Sequence, residues 1–229
     1  MMIKHYLKVA FRNLAKYKVQ SIVSILGLAV GFVCFALSTL WIRYEMTYDT
    51  FHEGAERIYL VRAHYAHEPG KISNSTPYPL ADYLQKGNPE IEAMASTSVQ
   101  KVKFRVKDTE KDVVSATADS VLMNFFNIRV LRGTVNFLKG TNGEIAITEE
   151  FSKRIFGEEE ALGREVEVSG HASKVGAIVS GWSSHSNIPY SILTSARHYT
   201  QWGSANENLF VRIRKGTNGE EFQKKIAAL

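Results

Sequence analysis

Several short segments of this 229-residue chain combine side chains that are able to do chemistry. In the first segment, His64, His67 and Glu68 offer nitrogen and oxygen ligands for a metal ion. On a strand, however, residues three apart point to opposite faces, and the HExxH order of helical zinc sites is absent. We therefore predict that the chain holds no metal.

The second segment places Ser183 and Ser186 beside His185, which suggests a nucleophile and its general base. No GxSxG motif accompanies them, and side chains that are adjacent in sequence seldom reach the geometry of a catalytic triad. The Gly-Lys pair at 70–71 also lacks the earlier glycine of a phosphate-binding loop. We expect a polar loop around 183–187, no enzymatic activity and no cofactor.

The third segment, with Tyr48, Asp49, Phe51 and His52, forms a junction after a long apolar stretch. One interpretation is structural. Tyr48 would then belong to an aromatic belt at the membrane interface, and Phe51 would pack under the following domain. Asp49 and His52 would hydrogen-bond the connecting stalk. The other interpretation is a hinge that couples motion across the junction, and the residues alone leave both open.

Residues 19–42 contain no charged side chain and are almost entirely apolar. A helix needs about 20 such residues to cross the hydrocarbon core, so we predict one transmembrane helix here. A cleaved signal peptide is the alternative, but its apolar core is typically only about 7–15 residues. Gly27 and Gly31 lie one turn apart and would allow another helix to approach closely, so we assign them to helix packing.

Residues 1–18 carry five basic side chains and no acidic one, on one face of an amphipathic helical pattern. Short basic flanks stay in the cytoplasm, so the N-terminus is predicted inside and the C-terminal part outside. The whole chain has a formal net charge of +5, so the remainder is balanced. A nucleic-acid partner is not expected, because it would require a basic patch on the folded domain.

The predicted organisation is therefore a cytoplasmic basic amphipathic helix at 1–18, a transmembrane helix at 19–42, a stalk at 43–56 and a core domain at 57–229. Apolar alternation and turn signals predict strands in the core domain at 57–66, 99–106, 112–116, 144–148, 164–169, 174–180 and 208–214. Helical patterns are found at 79–86, 120–126, 149–156 and 220–229. Their irregular alternation favours an α+β fold with a mixed sheet.

Two helix starts in the core domain carry capping signals. Thr148 and Gly157 are predicted to cap the 149–156 helix, and Thr217 with Glu220 has the spacing of a capping box. The side chains expected to form the core are Ile58, Leu60, Phe125, Phe126, Ile145, Ile147, Phe151, Ile155, Phe156, Val166, Val168, Phe210 and Ile213. Cys34, the single cysteine, lies in the predicted span, so the core domain must fold without an internal disulfide.

The order and spacing of the motifs resemble the N-terminal part of MacB/FtsX-type ABC transporter permeases. The resemblance covers nearly the whole chain and rests on IKHYLKVAFRNLAKYK, YDTFHEGAERIYLV, TPYPLADYLQKGNPEIE, ADSVLMNFFNIRVLRG, IAITEEFSKRIFGEEEALGREVEV and NLFVRIRKGTNGEEFQKKI. It implies a bacterial inner-membrane protein with a MacB-like periplasmic core domain of two subdomains. In such permeases three further spans follow the core domain, so the resemblance implies that the chain is either a fragment of a longer permease or a truncated relative.

The resemblance also implies a mechanism and partners. Permeases of this type form dimers, work with a cytoplasmic ABC ATPase subunit and sometimes contact a periplasmic adaptor protein. ATP-driven motion is transmitted to the periplasmic domains for export or extraction of substrates. The alternative hypothesis is a membrane-tethered periplasmic sensing or binding module without ATP coupling.

Overall fold

The computed structural model describes residues 2–65, 70–107, 109–182, 185–197, 200–203 and 205–227. The chain divides into two compact units, Met1–Tyr48 and Asp49–Leu229. The first contains an apolar helix and the second is rich in strands, which confirms the predicted α+β class. We call the second unit the core domain.

The first unit consists of the helices α1 (Met2–Lys16) and α2 (Lys18–Met46). The most apolar window of α2 has a mean hydropathy of 2.3 and is not buried inside the protein. At 1.5 Å per residue this helix extends over about 43 Å, which exceeds the ~30 Å of a hydrocarbon core. By length and composition, α2 is the one helix of the described residues that could cross a membrane.

Thr47 caps the end of α2. Its hydroxyl donates to the carbonyl oxygens of Arg43 at 3.1 Å and Tyr44 at 2.9 Å. These bonds engage carbonyl groups that the last turn of a helix leaves without a partner. The helix ends at Met46, four residues beyond the predicted span.

The core domain alternates short strands with four helices over its described residues. The strands are β1 (Ile58–Val61), β2 (Ala63–His64), β3 (Ile72–Ser73), β4 (Thr76–Pro77), β5 (Ile91–Thr97), β6 (Val99–Val106), β7 (Thr109–Ala118), β8 (Val130–Gly133), β9 (Glu144–Thr148), β10 (Glu165–Val168), β11 (His171–Val179), β12 (Ile192–Ser195) and β13 (Ala205–Ile213). The helices are α3 (Leu80–Gly87), α4 (Ser120–Phe125), α5 (Glu149–Phe156) and α6 (Gly219–Ala227), with 3-10 helices at Ala55–Arg57 and Val135–Lys139.

Six strands of the core domain close into a small barrel in the order β10-β6-β7-β12-β9-β11, with β11 pairing back to β10. Strand β8 pairs with residues 177–179 of β11, along the edge that β10 occupies at residues 171–174. β12 runs parallel to β7, and β9 runs parallel to β11, whereas the remaining neighbours are antiparallel. Each of the six strands therefore has a neighbouring strand on both sides over part of its length.

A second sheet is built around β13, which pairs antiparallel with β1, β4 and β5. Helices α3 and α6 cover one face of this sheet through Leu84 and Phe222, which pack against Leu209 and Val211 of β13. Helix α4 lies in a separate apolar cluster that includes Phe210 of β13 and Leu193 of the barrel strand β12. That cluster joins the second sheet to the barrel.

The third apolar cluster occupies the barrel and the helix beside it. Its fully buried members include Phe104 of β6, Ile147 of β9 and Ile192 of β12. Phe151 of α5 packs edge to face on Phe104, with ring centroids 5.0 Å apart. Helix α5 thereby contributes to the barrel core.

Most side chains predicted for the core are buried, but Ile58, Leu60, Ile155 and Phe156 are only half-buried. The caps of α5 are confirmed, because the Thr148 hydroxyl accepts from the amide of Phe151 at 3.2 Å. Gly157 ends the helix with a positive φ of 61°. Only glycine adopts such a backbone without steric cost.

Other sequence-based predictions are corrected by the fold. The capping box at Thr217 is wrong, because α6 begins two residues later and the side chain of Asn218 accepts from the amides of Glu220 at 3.0 Å and Glu221 at 3.4 Å. The strand predicted at 57–66 is divided into β1 and β2. Strands β5, β8 and β12 were not predicted, since each is short or lacks a clear alternation of apolar side chains.

Candidate functional site at the start of the core domain

The carboxylate of Asp49, the first residue of the core domain, binds a loop distant in sequence. It accepts hydrogen bonds from the hydroxyl of Ser186 and from the side-chain amide of Asn187 at 2.9 Å. The backbone amide of Asn187 also donates to it, at 3.2 Å to Oδ2. In the opposite direction, the amide of Asp49 donates to the carbonyl of His185 at 3.2 Å. We call Asp49 together with residues 185–187 the Asp49 anchor.

The Asp49 anchor fixes the path of the chain as it enters the core domain. Asp49 has a φ of +56°, a left-handed conformation in which aspartate and asparagine are enriched among non-glycine residues. The carbonyl of Asp49 then accepts from the amide of His52 at 3.3 Å, and the carbonyl of His52 accepts from Ala55 at 3.1 Å. These turns lead directly into the 3-10 helix at Ala55–Arg57 and the strand β1.

Both hydrogen-bonding capacities of the Ser186 hydroxyl are used inside the anchor. It donates to Asp49 and accepts from the amide of Ile188 at 3.2 Å, and Ser186 is only 5 % exposed. A serine held in this way orients a loop and is poorly placed to attack a substrate. Ser183, the other nucleophile considered, lies outside the described residues.

The ring of His52 lies among aromatic side chains directly beside the anchor. Its centroid is 4.2 Å from that of Phe51, 4.8 Å from Phe126 and 4.9 Å from Trp182. Phe126 in turn packs against Phe210 of β13 at 5.2 Å, and Trp182 packs against Tyr190 at 4.9 Å. We call His52, Phe126, Trp182, Tyr190 and Phe210 the aromatic cluster. The cluster connects the entering chain to the second sheet and to the loop before β12.

Burial lowers the pKa of His52, and the guanidinium of Arg212 acts in the same direction, while the Asp49 carboxylate opposes them. The imidazole is therefore biased towards its neutral form. Arg212 is held over the ring of Phe125 at 4.4 Å and donates to the Phe125 carbonyl. Burial also raises the pKa of the Tyr190 phenol, whose hydroxyl donates to the carbonyl of Ser180 at 2.8 Å. Near neutral pH the aromatic cluster thus favours uncharged side chains.

The four junction residues predicted from sequence occupy different environments. Tyr48 belongs to the first unit, where its ring packs edge to face on Tyr44 at 5.5 Å. Asp49 and His52 lie in the anchor and the aromatic cluster. Phe51 contacts His52 but is 45 % exposed, so the expected burial beneath the domain is not found.

Gly27 and Gly31 both lie on α2, as the apolar stretch predicted. Apart from the adjacent residues and the backbone of the helix itself, no described atom lies within 4 Å of the position that a Cβ would take at either residue. This surface of α2 is therefore open to close approach by another helix, and their role in helix packing stays a prediction.

Sequence reasoning did not find the partners of Asp49. Ser186 and Asn187 are 137 and 138 residues away, and a polar run of this kind usually indicates a solvated loop. Trp182 and Arg212 were missed for the same reason, since a contact between distant segments has no periodic signature.

Among the described residues, no group of three or more His, Cys, Asp and Glu side chains could hold a metal ion. His67 and Glu68 of the metal interpretation lie outside the described residues.

Comparison with known proteins yields one family and several related folds. The model of the MacB-like periplasmic core domain family matches residues 21–229. A domain of a protein described as a permease from Porphyromonas gingivalis has a TM-score of 0.64 and 18 % identity, over 77 % of this chain and 84 % of that one. A search of curated proteins found no significant match.

Two further solved structures share the fold. The extracellular domain of the noncanonic ABC-type transporter YknZ from Gram-positive bacteria has a TM-score of 0.52 and 16 % identity, over 73 % of this chain and 86 % of that one. The periplasmic region of MacB from Actinobacillus actinomycetemcomitans has a TM-score of 0.55 and 13 % identity, over 75 % of this chain and 80 % of that one.

Proposed function

The chain belongs to the family of MacB-like periplasmic core domains, and we propose that it acts as the permease component of a MacB/FtsX-type ABC transporter. In this role the core domain changes conformation in the periplasm when a cytoplasmic ATPase subunit hydrolyses ATP. The substrate is exported or extracted on the periplasmic side. The chain itself supplies mechanical transmission and no enzymatic step.

The Asp49 anchor is the observation that best supports this proposal. A permease that transmits motion needs a stiff connection where the chain enters its periplasmic domain. Here a single carboxylate engages three donors, and the adjoining His52 packs on Phe126 and Trp182. Charge-assisted hydrogen bonds are shorter and stronger than neutral ones, which suits a junction that transmits force.

The basic α1 sequence and the apolar α2 support the orientation that we propose. The N-terminus lies in the cytoplasm, α2 crosses the inner membrane and the core domain is periplasmic. A second permease packs on α2 near Gly27 and Gly31, and a periplasmic adaptor binds the core domain. A reporter that is active only in the periplasm, fused after residue 229, should be active. Activity of a cytoplasm-only reporter at that position would contradict the orientation.

Coupling to ATP is tested with an environment-sensitive fluorophore beside the anchor. In a Cys34→Ala background, Glu53→Cys places the label at an exposed position next to His52. In membranes that contain the transporter, ATP should change the emission of this label, whereas ADP should not. Lys111→Cys, exposed on β7, is the matched control and should report no change.

The alternative function predicts another outcome for the same complex. If affinity purification through this chain yields no ATPase activity and the label at position 53 does not respond to ATP, the permease proposal fails. The membrane-tethered binding module would then be the better description.

A further inference from the structure

The hexapeptide KGTNGE occurs twice in the core domain, at 139–144 and again at 215–220. Each copy contains one Asn-Gly pair. In such a pair the nitrogen of the glycine can attack the side-chain carbonyl carbon of the asparagine, and glycine has no Cβ that would hinder the approach. Because the two hexapeptides are identical, a difference between their reactivities in the folded chain would come from the structure around them.

The second copy is held by the helix α6. The side chain of Asn218 accepts from the amides of Glu220 at 3.0 Å and Glu221 at 3.4 Å. Its backbone carbonyl accepts at 3.0 Å from the amide of Phe222, which is only 8 % exposed. Ring closure onto the nitrogen of Gly219 requires both the side chain and the backbone of Asn218 to rotate. These rotations would break the three hydrogen bonds and open the first turn of α6.

The first copy lies in an exposed bend that leads into β9. Among the described residues, the side chain of Asn142 forms one hydrogen bond, in which its Oδ1 accepts from the amide of Glu144 at 3.4 Å. This Asx turn folds the side chain back towards the peptide unit that contains the nitrogen of Gly143. No turn of a helix has to open before Asn142 can rotate. Asn142 and Asn218 are both exposed, so exposure does not distinguish the two copies, but their hydrogen bonds do.

The two glycines also differ in the space around them. A Cβ at Gly219 would collide with the hydroxyl of Tyr59, and Gly219 is half-buried. Apart from the adjacent residues, the nearest described atom to a Cβ at Gly143 would be the carbonyl oxygen of Ala172 at 3.8 Å, an ordinary contact distance. The backbone of the first copy therefore has room to move that the second copy lacks.

We propose that Asn142 is a site of spontaneous deamidation and isoaspartate formation, and that α6 protects the same sequence at Asn218. The nitrogen of Gly143 gives up its proton to the solvent and forms a bond to the side-chain carbonyl carbon of Asn142. The bond from that carbon to Nδ2 breaks, and Nδ2 takes up a proton and leaves as ammonia. Water then opens the cyclic imide. Opening at the side-chain carbonyl gives aspartate, and opening at the main-chain carbonyl gives isoaspartate.

Both copies are measured in one sample of the detergent-solubilised chain, incubated in mildly alkaline buffer. Trypsin cleaves after Lys139 and Lys215 and so releases the two copies in different peptides, whose products are quantified by mass spectrometry. Asn142 should react at least about fivefold faster than Asn218, the factor that corresponds to the stabilisation typical of one helix cap. Equal rates, or a faster reaction at Asn218, would overturn the proposal.

The same chain unfolded in guanidinium chloride is the matched control. There the two identical hexapeptides should react at equal rates, because α6 no longer exists. If Asn142 kept its full advantage in the unfolded chain, the residues that follow each hexapeptide would set the rates and the fold would not. That result would also overturn the proposal.

A variant tests the protection by α6 directly. Phe222→Ala removes a buried side chain that holds α6 on the second sheet, so the first turn should open more often. The reaction at Asn218 should become faster, and the reaction at Asn142 in the same sample is the internal reference. An unchanged rate at Asn218 would contradict protection by the helix.

Isoaspartate at position 142 would lengthen the backbone by one methylene directly before β9. The carbonyl of Gly143 accepts from the amide of Lys174 at 3.0 Å, where the pairing of β9 with β11 begins. Chains that have formed isoaspartate should therefore melt at a lower temperature than Asn142→Asp, which has the same charge and a normal backbone. Equal melting temperatures would contradict this effect on the barrel. None of these measurements requires an ATPase, so their failure would leave the permease proposal intact.

Discussion

At the scale of single residues, Asp49 joins two segments that no local interaction brings together. Its carboxylate accepts from Ser186, which is buried, and from Asn187. Asp49→Asn keeps the shape of the side chain and tolerates the same positive φ, but one acceptor becomes a donor. We expect it to destabilise the core domain by about 1–3 kcal/mol, because a donor of the loop is left unsatisfied.

The measurement for Asp49→Asn is urea unfolding of the detergent-solubilised chain followed by tryptophan fluorescence. Glu53→Gln removes the same charge four residues away, at an exposed side chain for which no hydrogen bond is observed. It should change the unfolding free energy by less than about 0.5 kcal/mol. If both variants unfolded like the unmodified chain, the anchor would have no energetic importance.

His52 gives the core domain a predictable response to pH. Its pKa is lowered from 6.5 in the folded state, chiefly by burial, so the unfolded chain takes up a proton at a higher pH than the folded one. The contribution of neutral His52 to the stability of the core domain should therefore be fully present above pH 6.5, the ordinary pKa of the group. It should be lost progressively as the pH falls below that value. His52→Phe preserves the ring contacts and removes the titration.

Thermal unfolding between about pH 7.5 and pH 5 tests this dependence around the ordinary histidine pKa of about 6.5. The melting temperature of the His52→Phe variant should decrease less than that of the unmodified chain. His64→Phe, at an exposed position on β2, is the matched control. An unchanged slope in His52→Phe would mean that this imidazole does not contribute to the pH response.

At the scale of elements, α5 buries the aromatic side chains near its two ends to different extents. Phe151 is 1 % exposed and packs on Phe104, whereas Phe156 at the other end is half-buried. Phe151→Ala should destabilise the core domain by about 3–5 kcal/mol, as expected for a truncated buried aromatic side chain. Phe156→Ala should destabilise the core domain clearly less, although the sequence analysis placed Phe156 in the core. Equal losses in urea unfolding would contradict this ranking.

At the scale of the whole molecule, the core domain has its own apolar clusters and contains no cysteine. A soluble fragment of residues 44–229 should therefore fold without the membrane and without a disulfide. Calorimetry under reducing conditions should record one cooperative transition. The Phe151→Ala fragment is the internal reference and should melt at a lower temperature. A fragment with no cooperative transition would refute independent folding.

The sequence by itself determined the features that depend on neighbouring residues. The apolar stretch at 19–42, the hairpin of β6 and β7 and the Thr148 cap all follow from local composition, periodicity or a side chain reaching its own backbone. Such signals are complete within about twenty residues, which is the length over which helices, hairpins and caps form. The order of several such motifs was enough to indicate the family.

Only the tertiary structure decided which of these elements meet. Closure of the barrel depends on the pairing of β10 with both β6 and β11, and β12 enters it between β7 and β9. The bond of Asp49 to Ser186 likewise spans 137 residues. Pairings at this distance in sequence depend on how buried faces fit together. The local sequence of a polar loop or of a four-residue strand does not indicate which segment will be its partner.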